Sequence, residues 1–169
     1  LDRTKYSSAA GLLRGGYILI SCEGEPELIL MATGSEVGLM LEAYEALTKQ
    51  GVKARACSMP CLELYKQQSH EYMSSVLPDS CRARISIEAA TKDTWGDFIG
   101  LDGEHIGMIT FGASGPIKQI QKELGFTVEH VLAAAKRVMG KQPRTMASEA
   151  DVIREWKRRK SMVDPNNQQ

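Results

Sequence analysis

Leu28-Ile29-Leu30-Met31-Ala32-Thr33-Gly34-Ser35-Glu36 decides the fold. Five apolar residues run without alternation, which is the pattern of a strand buried on both faces, as in a parallel sheet. The run stops at Thr33-Gly34. Thr33 and Glu36 then stand in capping-box spacing, so the pair is expected to cap the helix that follows. Val37, Met40, Leu41, Tyr44 and Leu47 share one face of that helix, and Gly51 closes it as the residue after the cap. Val52 to Met59 is the next strand. Together these segments form a β-α-β unit with a right-handed crossover.

Outward from this unit the chain keeps alternating. Tyr17-Ile18-Leu19-Ile20 reads as an earlier short strand after the turn signal Gly15-Gly16. Residues 62–77 read as a helix in two pieces, ended by Pro78-Asp79. Residues 83–88 and 105–109 read as strands, and residues 89–103 as irregular. After Gly112 to Gly115, with Ser114 or Gly115 as cap, a helix follows whose buried stripe is Ile117, Ile120 and Leu124. Thr127 caps one further helix, with Phe126 and Val131 in hydrophobic-staple positions. The expected architecture is α/β, with a mostly parallel sheet. The expected organisation is a connector over 1–15, a domain over 16–139, and a linker, basic helix (148–162) and polar tail over 140–169.

The chain has 169 residues, 43% hydrophobic and 25% charged, which fits one globular domain and excludes collagen-like, mucin-like and wholly disordered readings. Its formal net charge of zero argues against a general nucleic-acid or anionic-membrane surface. From Lys136 onward basic residues outnumber acidic ones, which leaves the body mildly acidic. No apolar run has the ~18 to 20 residues of a membrane helix. The first residues lack the apolar stretch of a signal peptide, and a chain without an initiator Met reads as part of a longer gene product. Cys22, Cys57, Cys61 and Cys81 lack zinc-site spacing and read as reduced thiols, with the cytoplasm as the default location.

In parallel sheets ligands bind outside the carboxyl ends of the strands. Three joins lie there: Thr33 to Glu36, Glu88 to Trp95, and Gly112 to Gly115. The first lacks the spacing of a dinucleotide loop and the Lys of a P-loop, which favours capping. Glu88 reads either as a general base or as a side chain bonded to a nearby turn. Trp95 and Phe98 read as core or interface residues, and with Phe111 they are the candidate interface for a two-fold contact between copies. His70, His105 and His130 fall in different elements, and no catalytic triad stands out.

The strings themselves carry a resemblance. Pro26-Glu-Leu-Ile-Leu-Met-Ala-Thr-Gly-Ser-Glu-Val-Gly38, Val52-Lys-Ala-Arg-Ala-Cys-Ser-Met-Pro60, Ser75-Val-Leu-Pro78, Gly100-Leu-Asp-Gly103, Thr110-Phe-Gly-Ala-Ser-Gly115 and Phe126-Thr-Val-Glu129 occur in the order found in the C-terminal, third domain of transketolases. The chain resembles that domain from Leu13 to Met139. The resemblance implies a Rossmann-like, three-layer αβα domain with a five-stranded sheet. It implies a domain that supports assembly and lies away from the reacting carbon. The whole enzyme of the family is a homodimeric transferase of the pentose phosphate pathway. It moves a two-carbon ketol unit from ketose phosphates to aldose phosphates, using thiamine diphosphate and a divalent metal, Mg or Ca. Nothing here resembles the family's diphosphate- and metal-binding segment or its catalytic histidines. No catalytic, cofactor-binding or metal residue is therefore carried over, and Arg3 receives no role. Two other readings stand beside it: a stand-alone interaction or regulatory module of this fold, and the matching domain of a related thiamine enzyme such as dihydroxyacetone synthase.

Overall fold

β2 (Leu28–Ala32) occupies the centre of the sheet, and every one of its residues is buried. The computed structural model describes residues 1–2 and 4–140. Within them β1 (Tyr17–Ser21), β3 (Ala54–Ser58), β4 (Arg84–Ile87) and β5 (Glu104–Ile106) complete a five-stranded sheet in the order β1-β3-β2-β4-β5. Leu30 faces Ala56 on one side and Ile85 on the other, in parallel register. β4 and β5 are also parallel, whereas β1 runs antiparallel to β3 at the edge. The expected mostly parallel α/β sheet is the one observed. The basic helix expected over 148–162 lies outside the described residues.

Alternate residues of β2 feed two cores. Leu28, Leu30 and Ala32 join the first, under α1 (Glu36–Lys49) and α6 (Val128–Met139). Ile29 and Met31 join the second, with side chains from α2 (Leu62–Lys66), α3 (His70–Val76) and α4 (Gly96–Ile99). Helices therefore cover both faces, which makes the three layers. Each fully buried aliphatic side chain here contributes roughly 1.5–3 kcal/mol of transfer free energy. A charged strand residue is accommodated by carbonyls. The Arg84 guanidinium donates to Cys81 O, Phe98 O and Pro78 O at 2.8–2.9 Å and ties the loops below the second core.

Local signals at two helix ends hold. Thr127 Oγ1 accepts from the His130 N–H and caps α6, and Phe126 and Val131 meet in the first core. Gly51 takes φ +85°, as the residue after a helix cap requires. Two expectations fail after β5. α5 (Ile117–Glu123) is capped by Pro116, not by Ser114 or Gly115, and it buries no residue fully. Its Ile117 points outward, so the expected apolar stripe is incomplete. The irregular stretch 89–103 contains a 3₁₀ turn, Lys92–Trp95, leading into α4.

Residues 1–15 make their own contacts with the domain. The Ser7 N–H donates to Leu19 O at 3.0 Å, and Lys5 pairs with Glu45 of α1. A 3₁₀ helix, Ala9–Arg14, ends at Gly15 with φ +80°. A side chain at Gly15 would meet the Cys61 carbonyl at 2.4 Å, so this turn admits only glycine. No helix among the described residues is long and apolar enough to cross a membrane.

Candidate functional site

The carboxyl ends of β2, β3 and β4 open into a small cleft of about 190 Å³ bordered by Thr33, Pro60, Cys61, Glu63, Glu88 and Trp95. This is where the topology places a ligand in related architectures. The Thr33–Glu36 join does not form the expected capping box. The helix opens at Glu36, and the residue before it, Ser35, already has helical dihedrals of φ −66° and ψ −29°. The Ser35 hydroxyl donates to Glu36 Oε1 at 2.8 Å, which turns both side chains toward each other and away from the helix N–H groups. Thr33 stands two residues before that cap position, beyond reach of its role. A first-turn carboxylate at Glu36 still complements the helix dipole.

The second join is ordered around an indole. Trp95 Nε1 donates to Glu88 Oε2 at 2.6 Å. Glu88 thus bonds to the turn that follows it. Trp95 is 0% exposed and Phe98 is buried with it, in edge-on contact at 6.4 Å between ring centroids. Trp95 and Phe98 are therefore core residues of their own domain, the first of the two readings the sequence allowed. Their burial follows from the second core, whose far wall they supply together with Tyr65.

Behind Trp95 lies a pair that sequence reasoning missed. Ser86 and His105 face each other across β4 and β5. Ser86 Oγ lies 2.8 Å from His105 Nδ1, and His105 Nε2 lies 3.0 Å from Ala90 O. A carbonyl only accepts, so Nε2 carries a proton, and in the neutral ring Nδ1 accepts from the serine hydroxyl. Trp95 stacks on the imidazole at 6.3 Å. Ser86 is fully buried, which denies it a substrate, and the pair fastens the sheet edge instead. The only sequence signal was a polar residue in each of two neighbouring strands.

The other titratable groups do not converge. His130 Nδ1 bonds to Gly125 O at 2.9 Å, and His70 begins α3. All four cysteines are free thiols, and burial pushes that of Cys57 up to about 12. Among the described residues no group of three or more His, Cys, Asp or Glu side chains is placed to hold a metal ion. The third join differs again: Phe111 stands fully in solvent beside Gly112 to Gly115.

Comparison with known proteins supplies what this geometry lacks. The family described as the transketolase-like C-terminal domain matches residues 15–127. The chain is 48% identical over 138 residues to transketolase 1 of Escherichia coli, a match that covers 82% of this chain and 21% of that protein. It is similar in structure to a Pichia stipitis transketolase crystallised with sedoheptulose-7-phosphate, with a TM-score of 0.70 and 37% identity over 79% of this chain and 19% of that one. It is similar also to the transketolase of Leishmania mexicana, with a TM-score of 0.72 and 31% identity over 85% of this chain and 21% of that one. The chain spans about a fifth of the length of the curated relatives it matches.

Proposed function

We propose that this chain, which belongs to the transketolase family through its C-terminal domain, serves as the assembly domain of a ketol transferase. The whole enzyme would move a two-carbon unit from a ketose phosphate to an aldose phosphate. Thiamine diphosphate and a divalent metal would be held by the other domains, in a cytoplasmic homodimer. The observation that carries this reading is the 48% identity to the E. coli enzyme over 138 residues, together with the match of residues 15–127 to the transketolase-like C-terminal domain. Two similar Pichia stipitis transketolase structures are complexes with sedoheptulose-7-phosphate and xylulose-5-phosphate, which supports sugar phosphates as the substrate class. The described residues of this chain present a carboxylate already bonded to an indole and a buried serine–histidine pair. Both bonds tie strand ends to the core of the domain, which supports a structural contribution.

A chimera tests this. The C-terminal domain of E. coli transketolase 1 is replaced by this chain, and ketol transfer from xylulose-5-phosphate to an aldose phosphate is measured. The chimera is expected to turn over, while this chain alone neither transfers ketol units nor gives heat with thiamine diphosphate and Mg²⁺. Micromolar 1:1 binding of thiamine diphosphate by the isolated chain would overturn the assignment of the cofactor to the other domains. A folded chimera without activity would overturn the assembly role.

A further inference from the structure

From Ile106 to Ile117 the chain contains no Asp, Glu, Lys or Arg. The middle of this stretch stands off the strand-end edge of the sheet. Ile109 is 99% exposed, Phe111 98% and Ile117 68%. Beside them runs a groove of about 670 Å³ whose wall includes Met108, Ile120, Leu124 and Phe126. Large apolar side chains at full exposure, in a segment stripped of charge, are the composition of an interface core and not of a free surface.

We propose that this loop and groove are the docking surface for the thiamine-binding part of a transketolase, the polypeptide that the relatives carry outside the matched region. The inference rests on the assembly role above and adds the surface that performs it. About four-fifths of the E. coli relative lies outside the match, so a large body must meet this domain somewhere.

The test mixes this chain with E. coli transketolase 1 lacking its C-terminal domain, after that piece is shown to bind thiamine diphosphate with Mg²⁺. Titration followed by sedimentation gives the affinity. Phe111→Asp is expected to weaken it at least 30-fold, and Ile109→Ser at least fivefold. Leu101→Asp, 75% exposed in the turn before β5 and outside the groove, should leave it within twofold. Melts of all three variants should match wild type, because none of these side chains is buried. Equal affinity of wild type, Phe111→Asp and Ile109→Ser would overturn the docking surface while leaving the assembly role standing. Self-association of the chain alone, abolished by Phe111→Asp, would overturn it in favour of a second copy. No binding by wild type would overturn the assembly role, and the surface with it.

Discussion

The Trp95 indole and the Glu88 carboxylate meet at 2.6 Å, and this one bond joins the end of β4 to the turn that carries the second core's largest side chain. A hydrogen bond to a charged acceptor contributes roughly 1.5–3 kcal/mol. Trp95→Phe keeps a ring but strands the carboxylate, so its loss should reach at least that range. Glu88→Gln keeps an acceptor without charge and should cost about 1 kcal/mol. Urea melts of both single variants and the double variant should give a coupling of 0.5 kcal/mol or more, roughly the lower bound for residues in contact. Additive losses would mean that the indole is held by packing alone.

Gly107 has a comparable constraint behind the same tryptophan. A Cβ there would lie 1.9 Å from His105 Nε2 and 2.4 Å from Ala90 O. Gly107→Ala must push the imidazole off Ser86 and off that carbonyl, and overpacking of this kind costs typically about 1–3 kcal/mol. Gly38, inside α1, meets nothing within 4 Å. Gly38→Ala should therefore stabilise by about 0.5–1 kcal/mol through helix propensity. Thermal melts should move in opposite directions for the two glycine-to-alanine changes.

Features set by near neighbours were legible in the sequence. The unbroken apolar run of β2 announced burial on both faces, and Thr127 with Phe126 and Val131 announced the start of α6. Features set by register or by distant packing were not. The Ser86–His105 pair exists because β4 and β5 align those two residues, a relation that spacing along the chain does not encode. Trp95 reads as core or interface alike until α2 and α3 are seen to close the second core over it. Ile117 obeys helical spacing, yet α5 is a seven-residue helix that turns this residue outward. In the candidate site, the sequence allowed a bond from Glu88 to a nearby turn, but not that the Trp95 indole makes it.

Thr33 and Thr127 offer a matched comparison of a spacing signal with a formed cap. Thr127 Oγ1 accepts the His130 N–H, whereas the helix after Thr33 begins too late for its hydroxyl to serve. Loss of a working threonine cap costs about 0.5–2 kcal/mol. Thr127→Ala should fall in that range. Thr33→Ala should stay within about 0.5 kcal/mol of wild type, as for a substitution away from any such feature. Chemical denaturation at constant slope would show it, and a Thr33→Ala loss above 1 kcal/mol would restore the capping box.

Cys57 links the second core to alkaline pH. Burial raises its thiol from an ordinary 9.0 to about 12, so between those values the folded chain keeps a proton that the unfolded chain has lost. The stability tied to this group is fully present below pH 9 and is lost as pH rises toward 12. Tyr65 acts in the same direction, since burial pushes its phenol up as well. Each such group can contribute a slope of up to about 1.4 kcal/mol per pH unit. Urea melts from pH 8 to 11 should show stability falling with pH, and Cys57→Ala should start lower but fall less steeply. Thiol labelling at pH 8 gives an independent check. Cys22 and Cys61 are partly exposed and should react in the folded chain, while Cys57 and Cys81 should react only on unfolding. Rapid labelling of Cys57 in the folded chain would mean that the second core opens, and the alkaline loss would then vanish, because an open thiol titrates as an unfolded one does.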